Sequence, residues 1–297
     1  MSRLLVTGAG GMLGRDLVAV LRSRGDLSVR ATTRAELDIT DPQAVRAAVA
    51  GHDVVINTAG WTDVDGAEAQ EEAATAANGH AVAHLAEACA ATGARMIHLS
   101  TDYVFSGDAT EPYAEDATTS PVNAYGRSKL VGELAVSRLL PDAGYIVRTA
   151  WLYGEHGPNF VATMLRLADQ REHLDVVDDQ RGQPTWSYAL AEQLVALADA
   201  VLAGRAAPGV YHGTASGQTT WYGLARAVFT LRGLDADRIR PTTSDRYLRP
   251  APRPAYSVLA HNRWAAAGLR PLADWHSALT QALTKARSAD EPLPSER

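Results

Sequence analysis

The stretch Leu4-Leu5-Val6-Thr7-Gly8-Ala9-Gly10-Gly11-Met12-Leu13-Gly14 decides the fold of this chain. Its short apolar run predicts a strand, its glycines predict a tight turn, and residues 15–21 carry apolar side chains at helical spacing. Glycine suits this turn because its backbone reaches conformations closed to other residues and lets the helix pack close to the strand. The sequence therefore predicts strand, turn and helix, with the helix N-terminus facing an anion.

The glycine spacing in this turn predicts a dinucleotide site but does not prove one. It reads Gly8-x-x-Gly11-x-x-Gly14, which differs from the Gly-x-Gly-x-x-Gly fingerprint of dinucleotide-binding proteins. Glycine-rich turns between a strand and a helix also occur in proteins that bind no nucleotide. If a cofactor binds, we expect it to lie against Gly8, Gly11, Met12, Leu13 and Gly14.

Strand-like and helix-like segments alternate through the first half of the chain, which is typical of a parallel sheet covered by helices. The apolar runs lie at residues 4–6, 28–32, 54–57, 96–99 and 145–147. Asp41 and Pro42 predict the start of one helix, and Gly93 predicts the end of another. The predicted fold class is α/β, with a Rossmann-type doubly wound parallel sheet.

The second half contains shorter units and is expected to form a small C-terminal substrate lobe. Its predicted helices span residues 160–169, 188–202, 221–231 and 273–286, and its extended segments span 173–177 and 210–212. We expect a dinucleotide-binding domain over residues 1–155, with its sheet completed within about 173–212. Residues 156–290 would form mainly the substrate lobe, and residues 291–297 a mobile tail without an apolar face.

Composition restricts the class of protein. The 297 residues carry a net charge of −6 and no basic run, which argues against a nucleic-acid partner. The longest apolar helical segment, residues 188–202, contains three polar or charged interruptions and is shorter than the roughly 20 residues of a membrane span. The single cysteine, Cys89, cannot form an internal disulfide, and no signal peptide is visible. We therefore expect a cytoplasmic protein without a membrane partner.

Tyr125 and Lys129 are the candidate catalytic pair. Four residues apart on a helix, they share a face, so the Lys129 ammonium is expected to lower the pKa of the Tyr125 phenol. Thr101 and Asp102 lie upstream, where a hydroxyl could hold a substrate carbonyl. An ordinary helix with one exposed lysine and one half-buried tyrosine would show the same spacing. The catalytic interpretation of the pair therefore depends on the presence of Thr101 and the glycine-rich turn.

Several longer motifs resemble the extended short-chain dehydrogenases, and more narrowly the branch of the dTDP-4-dehydrorhamnose reductases. The motifs that carry the broader resemblance are Thr7-Gly8-Ala9-Gly10-Gly11-Met12-Leu13-Gly14, Ser100-Thr101-Asp102-Tyr103-Val104-Phe105-Ser106-Gly107, Tyr125-Gly126-Arg127-Ser128-Lys129 and Arg148-Thr149-Ala150-Trp151-Leu152-Tyr153-Gly154, of which the first two define the superfamily only. The narrower match lies in Asp178-Asp179-Gln180-Arg181-Gly182-Gln183-Pro184-Thr185 and Arg253-Pro254-Ala255-Tyr256-Ser257-Val258-Leu259. The resemblance covers nearly the whole chain.

The resemblance implies an NADPH-dependent reduction of the C4 ketone of a dTDP-linked 4-keto-6-deoxysugar. Tyr125 would donate the proton, Thr101 would bind the same oxygen, and Lys129 would support Tyr125 and the nicotinamide ribose. Asp102 and Trp151 would contact the sugar, although a structural loop carboxylate and a core indole are open alternatives. The related 4,6-dehydratases carry a glutamate where this chain has Tyr103, so the base for elimination is missing.

The choice of cofactor depends on the end of the second predicted strand. The sequence there is Thr32-Thr33-Arg34, and a cation in place of an acid favours the 2′-phosphate of NADPH, with NADH possible as a second cofactor. Arg34 could instead be a solvated side chain. The family's adenine-contacting pair corresponds to Asp38 and Ile39. After the third strand, the residues expected against the cofactor are Ala59, Gly60 and Trp61, of which Gly60-Trp61 departs from the family pattern.

Three alternative functions stay open. A related 4-ketoreductase of antibiotic sugar biosynthesis would use the same catalytic residues. A non-catalytic nucleotide-binding regulatory subunit resembles this family too, but the intact Thr101, Tyr125 and Lys129 set argues against it. An epimerase would retain tightly bound NAD. The chain could be a monomer or a homodimer. Some relatives of this resemblance form pairs through carboxylates bridged by magnesium, and Asp16 falls at one such position. No metal site is predicted here, because an acid in a first helical turn more often complements the helix dipole.

Overall fold

The computed structural model describes residues 1–290, and the side chains of residues 1–285. The predicted tail, residues 291–297, lies outside the described residues. Within the described part, the strands are β1 Ser2–Thr7, β2 Leu27–Thr32, β3 Val54–Asn57, β4 Arg95–Thr101, β5 Gly144–Thr149, β6 Leu152–Tyr153, β7 Leu174–Val177, β8 Arg181–Gly182, β9 Thr185–Trp186, β10 Gly209–His212, β11 Ala215–Ser216, β12 Thr219–Thr220, β13 Ile239–Thr242 and β14 Leu272–Asp274.

The α-helices lie mostly where the sequence predicts them. They are α1 Met12–Arg22, α2 Pro42–Val49, α3 Val64–Ala69, α4 Glu71–Thr75, α5 Ala81–Thr92, α6 Ala124–Leu139, α7 Phe160–Ala168, α8 Ser187–Leu202, α9 Trp221–Leu231 and α10 Trp275–Asp290. A π-helical segment, Ala76–His80, joins α4 to α5, and short 3₁₀ turns include Asp102–Val104. Asp41 caps α2 by accepting hydrogen bonds from Gln43 N and Ala44 N, as predicted. The short helices and the π-helical segment between residues 64 and 80 had no counterpart in the prediction.

A six-stranded parallel sheet forms the centre of the molecule, with strand order β10-β5-β4-β3-β1-β2. The chain winds outward from β1 to β2 and then returns to place β3 on the other side of β1. At this point Thr7 has Thr32 as a partner on one side and Asn57 on the other. Ligands of doubly wound sheets bind at the carboxyl ends of the strands where the winding direction reverses. The predicted fold class is confirmed.

Alternate residues of each central strand face opposite layers of helices, because successive side chains of a strand point to opposite faces. Leu4 and Val6 pack in one cluster with Leu17 of α1 and Leu194 of α8. Leu5 packs in the other cluster, together with buried side chains of α2, α5 and α6 that include Val45, Leu85 and Val136. The two apolar layers hold the sheet rigid beneath the glycine-rich turn.

A separate apolar cluster unites α7, α9 and α10 with the paired strands β7 and β13. Within the range 173–212, β7 lies outside the main sheet, because it pairs in parallel with β13. β10 does join the sheet, beside β5. Helix α8 and strand β10 belong with the sheet, although both follow the predicted domain boundary at residue 155. We therefore propose two units, a sheet unit and a lobe, whose segments alternate along the chain.

Candidate active site

The glycine-rich turn leaves no room for side chains where it meets the loop after β3. Gly8 has a φ of +73°, and a Cβ there would lie 2.5 Å from the backbone nitrogen of Ala59. A Cβ on Gly14 would lie 2.2 Å from the carbonyl oxygen of Gly8. Gly11 caps α1 without a side-chain hydrogen bond, so the first N–H groups of the helix stay free for an anion. The turn therefore has the form of a phosphate cradle.

Most of the predicted site residues, though not Gly8, Arg34, Asp38 or Ile39, line one cleft of about 830 Å³ at the carboxyl ends of the strands. The glycine-rich turn and the start of α1 form one wall, and Ala59, Gly60 and Trp61 form part of another. Thr101, Asp102, Tyr125, Lys129 and Trp151, predicted as catalytic or substrate residues, all line it. Predicted residues as far as 140 positions apart in the chain, Gly11 and Trp151, thus border one space.

The catalytic helix α6 begins beside the end of β4. Asn123 caps it by accepting a hydrogen bond from Gly126 N at 2.7 Å, which fixes the first turn that carries Tyr125. Farther along, the guanidinium of Arg148 on β5 forms a bidentate ion pair with Glu133 of α6, at 2.9 and 2.7 Å. Both side chains are buried, so the helix is anchored to the sheet at both ends of the Tyr125–Lys129 segment.

Thr101 and Asp102 form a buried polar pair beneath Tyr125. The Thr101 hydroxyl donates to Oδ1 of Asp102 at 3.0 Å and accepts a hydrogen bond from Tyr103 N at 3.2 Å. Burial raises the pKa of Asp102 to about 7, and the hydroxyls of Ser257 and Thr101 only partly oppose this rise. Burial, and then the Asp102 carboxylate, raise the pKa of Tyr125 to about 12, whereas the Thr101 hydroxyl lowers it. Tyr125 is therefore a protonated donor throughout the neutral range.

Lys129 does not act on Tyr125 as the sequence predicts. Its Nζ donates to the carbonyl oxygen of Leu99 at 2.6 Å, and burial lowers the pKa of Lys129 to about 8. The expected lowering of the Tyr125 pKa is wrong for this structure, because burial and the Asp102 charge outweigh any help from the ammonium. Helical spacing placed the two residues on one face. Desolvation, which depends on the tertiary structure, decided whether the pKa of Tyr125 rises or falls.

Trp151 lies in the cleft in a strained conformation and stacks on a second tryptophan that the sequence did not reveal. It is the non-glycine residue with positive φ, +46°, within residues 1–290. Its ring is 3.6 Å from the ring of Trp221, with an angle of 11° between the planes. A Cβ on Gly182 would lie 2.6 Å from the Trp151 indole. Strain of this kind persists only where the surroundings enforce it, as at binding sites.

The Asp-Asp-Gln motif positions Trp221 from the lobe. Oε1 of Gln180 accepts a hydrogen bond from Nε1 of Trp221 at 3.1 Å, and Asp178 accepts one from Thr220 at 2.6 Å. Asp179 accepts bonds from the backbone and hydroxyl of Ser244. The motif therefore fixes the start of α9 against the cleft. Hydrogen bonds between residues 41 to 65 positions apart leave no periodic signal in the sequence that could have predicted them.

Asn78, on the π-helical segment, joins the loop after β3 to the catalytic helix. Its amide accepts a hydrogen bond from Trp61 N at 2.8 Å and donates to Trp61 O at 3.1 Å and to Ser128 Oγ at 2.9 Å. The Ser128 hydroxyl donates in turn to the carbonyl of Tyr125 at 2.7 Å. π-helical turns are frequent at functional sites because they aim a side chain out of helical register. Sequence reasoning missed both residues.

The three residues predicted to contact the adenosine end do not line the cleft. Arg34 is exposed and does not line the cleft, while Asp38 accepts hydrogen bonds from Thr40 N and Oγ1 at 2.9 and 2.7 Å. Ile39 is buried in the apolar layer of α2 and α5. The adenosine contacts of these three residues therefore stay predictions.

Asp16 is enclosed within the fold. Its Oδ2 accepts a hydrogen bond from the Ser187 hydroxyl at 2.5 Å, and its Oδ1 lies 3.8 Å from Nε2 of His156. Among the described side chains, those of residues 1–285, no group of three or more His, Cys, Asp or Glu could hold a metal ion. In the same part of the chain, no helix is long and apolar enough to cross a membrane.

A doubly wound sheet, a glycine cradle and a Thr101–Tyr125–Lys129 group in one cleft define a nucleotide-dependent reductase of the extended short-chain dehydrogenase type. The chain belongs to the family whose model is described as the RmlD substrate binding domain, which matches residues 2–288. It is 54% identical over 298 residues to a dTDP-4-dehydrorhamnose reductase of Streptomyces griseus, covering 99% of this chain and 98% of that protein.

Two further comparisons extend this result. A dTDP-4-keto-6-deoxy-D-glucose reductase of Streptomyces niveus is 55% identical over 282 residues, covering 94% of this chain and 96% of that protein. The crystal structure of a dTDP-4-dehydrorhamnose reductase from Bacillus anthracis in complex with NADP is 33% identical and superimposes with a TM-score of 0.90, covering 96% of this chain and 100% of that one.

Proposed function

We propose that this chain reduces the C4 ketone of dTDP-4-dehydro-L-rhamnose to the hydroxyl of dTDP-L-rhamnose, with NADPH as the reductant. The observation that supports this most directly is the convergence of Thr101, Tyr125 and Lys129 on the cleft that the glycine cradle borders. The family membership and the relatives named dTDP-4-dehydrorhamnose reductase favour this substrate. A non-catalytic regulatory role would give no reason for the intact catalytic set.

The cofactor site fits a dinucleotide. The glycines Gly8 and Gly14 let the turn pack tightly against its own backbone, and the uncapped N-terminus of α1 beside that turn suits a pyrophosphate. Gly8, Gly11, Met12, Leu13 and Gly14 would hold the phosphates, and Ala59, Gly60 and Trp61 would lie along the cofactor. Lys129 would hold the nicotinamide ribose. The relative from Bacillus anthracis binds NADP, which favours NADPH over NADH here.

In the proposed reaction, the bound nicotinamide supplies a hydride to C4. Tyr125 donates its phenolic proton to the ketone oxygen as that oxygen becomes a hydroxyl. Its pKa of about 12 keeps that proton in place at neutral pH until negative charge develops on the oxygen. Thr101 orients the carbonyl through its hydroxyl, which Asp102 and Tyr103 N hold in one position. Lys129, which lines the same cleft and donates to the Leu99 carbonyl, would hold the nicotinamide ribose rather than lower the pKa of Tyr125.

The side chain of Tyr103 distinguishes reduction from elimination. Its ring meets that of Tyr125 edge-on, at 6.0 Å between centroids, in the place where a dehydratase needs a carboxylate base. Burial raises the pKa of Tyr103 above its usual value, so the phenol cannot abstract a proton at neutral pH. A reduction without loss of water is therefore the chemistry that these residues support.

The direct test is incubation of the purified protein with enzymatically prepared dTDP-4-dehydro-L-rhamnose and NADPH. We expect oxidation of NADPH, followed at 340 nm, and a product with the rhamno configuration by NMR. Absence of turnover with an intact fold would refute the proposed function. Release of NAD from the purified protein on denaturation, together with no net oxidation of NADPH, would instead support an epimerase with retained cofactor.

A second candidate is a 4-ketoreductase that makes another deoxysugar. The relative from Streptomyces niveus, named for a dTDP-4-keto-6-deoxy-D-glucose substrate, favours it. Both reactions need the same Thr101, Tyr125 and Lys129, and they differ only in the stereochemistry that the sugar pocket accepts. Comparison of kcat/KM for dTDP-4-keto-6-deoxy-D-glucose and for dTDP-4-dehydro-L-rhamnose would assign the physiological substrate.

A further inference from the structure

Helices α3 and α4 pack behind the first turn of the catalytic helix α6. Ala67 of α3 and Ala74 of α4 form a small buried apolar cluster with Ala124 of α6. The side chains of Tyr125 and Trp61 pack against this cluster. The two short helices therefore contact both the proposed proton donor and the loop after β3.

A carboxylate of α3 caps the start of α6. Oε1 of Glu68 accepts a hydrogen bond from Ala124 N at 2.8 Å. Ala124 is the first residue of α6 and is completely buried. The first N–H groups of a helix have no partner within it, so a buried one depends on an acceptor from elsewhere in the protein. Glu68, 56 positions away in the chain, supplies that acceptor directly before Tyr125.

The same turn of α6 has little freedom on its other sides. A Cβ on Gly126 would lie 2.1 Å from the carbonyl oxygen of Tyr103, so the turn rests on the loop after β4. Glu71 accepts two hydrogen bonds from the guanidinium of Arg127, at 2.7 and 2.8 Å. These two side chains are 44% and 43% exposed, and an ion pair so open to water contributes little. Glu68 therefore matters more than Glu71 for the position of the turn.

Helix α3 is itself held in place, so it is a fixed support for Glu68. Asp65, three residues before Glu68, accepts a hydrogen bond from Ala251 N at 3.2 Å. Its carboxylate also binds the guanidinium of Arg253. The acid that reaches α6 and the acid that reaches the Arg-Pro segment thus lie on one short helix.

We propose that Glu68 is a positioning residue for Tyr125, because its bond to Ala124 N fixes the backbone that carries the phenol. This inference rests on the proposed function, in which Tyr125 donates the proton. The phenol has to lie within hydrogen-bond distance of the ketone oxygen when the hydride arrives, and small displacements of a reacting group slow a reaction strongly. Glu68 does not line the cleft, so its removal takes away no group that borders the substrate or the cofactor.

The test measures single-turnover rates of NADPH oxidation by stopped flow, with saturating dTDP-4-dehydro-L-rhamnose. Glu68→Ala removes the acceptor and should lower the rate about 10- to 100-fold, while the dissociation constant of NADPH changes less than about twofold. Glu68→Gln keeps an oxygen that accepts from Ala124 N, so its rate should stay within about threefold of that of the unaltered protein. The solvent deuterium isotope effect on the rate should increase in Glu68→Ala, because proton donation becomes slower.

Glu72→Ala is the matched control, because it makes the same change at an exposed position of α4, and it should leave the rate unchanged. An unaltered rate in Glu68→Ala, or equal losses in Glu68→Ala and Glu68→Gln, would overturn the proposal and leave the proposed function intact. If melting curves show that Glu68→Ala does not fold, Glu68→Asp takes its place. Its carboxylate is one methylene farther from Ala124 N, so the rate should fall about tenfold, and an unaltered rate would again overturn the proposal. If the unaltered protein does not reduce the ketosugar, the proposed function fails, and the proposal fails with it.

Discussion

At the scale of single residues, the site depends on how burial changes the acidity of Tyr125, Asp102 and Lys129. Desolvation raises the pKa of the phenol and the carboxyl and lowers that of the ammonium, in each case disfavouring the charged form. The cleft therefore holds a protonated phenol, a carboxyl that titrates near neutrality, and a lysine that titrates at about 8. These values suit proton donation by Tyr125 rather than proton abstraction.

Replacement of Tyr125 by phenylalanine should abolish turnover and leave cofactor binding largely intact. The change removes one oxygen, and loss of a general acid lowers kcat by roughly 10² to 10⁴. Stopped-flow rates of NADPH oxidation measure the loss, and fluorescence titration measures the dissociation constant of NADPH. Near wild-type turnover in this variant would contradict the assignment of Tyr125 as the proton donor.

Replacement of Asp102 by asparagine should change how stability depends on pH. A carboxyl with a raised pKa binds its proton more tightly in the folded chain, so it favours folding at low pH; this contribution is lost as pH rises from 3.8 through about 7. Asparagine cannot ionise. The Tm of the variant relative to the unaltered protein should therefore rise between about pH 5 and about pH 8, as measured by circular dichroism. A difference that stays constant with pH would refute the raised pKa.

At the scale of elements, the π-helical segment Ala76–His80 and helix α6 act as one support for the site. Asn78 bonds both backbone groups of Trp61 and the hydroxyl of Ser128, so the loop along the cofactor and the catalytic helix share one anchor. Gly132 of α6 allows this close approach, since a Cβ there would lie 2.3 Å from the carbonyl of Asn78. The relative position of Trp61 and Tyr125 therefore depends on one amide.

Replacement of Asn78 by alanine should destabilise the fold by about 1 to 3 kcal/mol, because buried partners lose their hydrogen bonds. It should also weaken NADPH binding, since the loop at Gly60 and Trp61 loses its anchor. Urea titration and fluorescence titration measure the two effects. His80→Ala, an exposed change on the same segment, is the control and should have neither effect. An unchanged free energy of unfolding in the Asn78 variant would show that the amide does not stabilise the loop at Trp61 or helix α6.

At the scale of the whole molecule, the cleft lies between the sheet unit and the lobe. Trp151 follows β5 of the sheet, and Trp221 begins α9 of the lobe, so their stack joins the two units across the cleft. Gln180, from the lobe, holds the Trp221 indole in place. In the proposed function, the lobe would therefore shape the sugar side of the cleft, and the glycine cradle would shape the cofactor side.

Replacement of either Trp151 or Trp221 by alanine should lower kcat/KM for the sugar nucleotide by about one to two orders of magnitude, because an aromatic face at the sugar site is lost. The dissociation constant of NADPH should change little. Trp275→Ala removes a tryptophan from the lobe but not from the cleft, and controls for loss of lobe stability. If NADPH affinity falls together with kcat/KM, the stack belongs to the cofactor site.

The sequence by itself determined the parts of this protein that depend on local patterns. Alternating apolar periods gave the parallel sheet and most helices, including α9, predicted at residues 221–231 and found there. The glycines at Gly8 and Gly14 indicated the cradle, because only glycine fits where two backbones touch. The i, i+4 spacing of Tyr125 and Lys129, together with the family motifs, indicated the catalytic set.

Only the tertiary structure decided features that depend on distant partners or on the solvent. Strand β7 pairs with β13 because the lobe offers it an edge, and no local pattern specifies that choice. Glu36 reaches the end of β2 because a turn folds it back onto Thr33. The pKa of Tyr125 rises because packing removes water around it. Periodicity and spacing indicate which face of a helix or strand a residue lies on. Strand pairing, contacts between distant residues and the loss of water around a side chain depend on the whole fold.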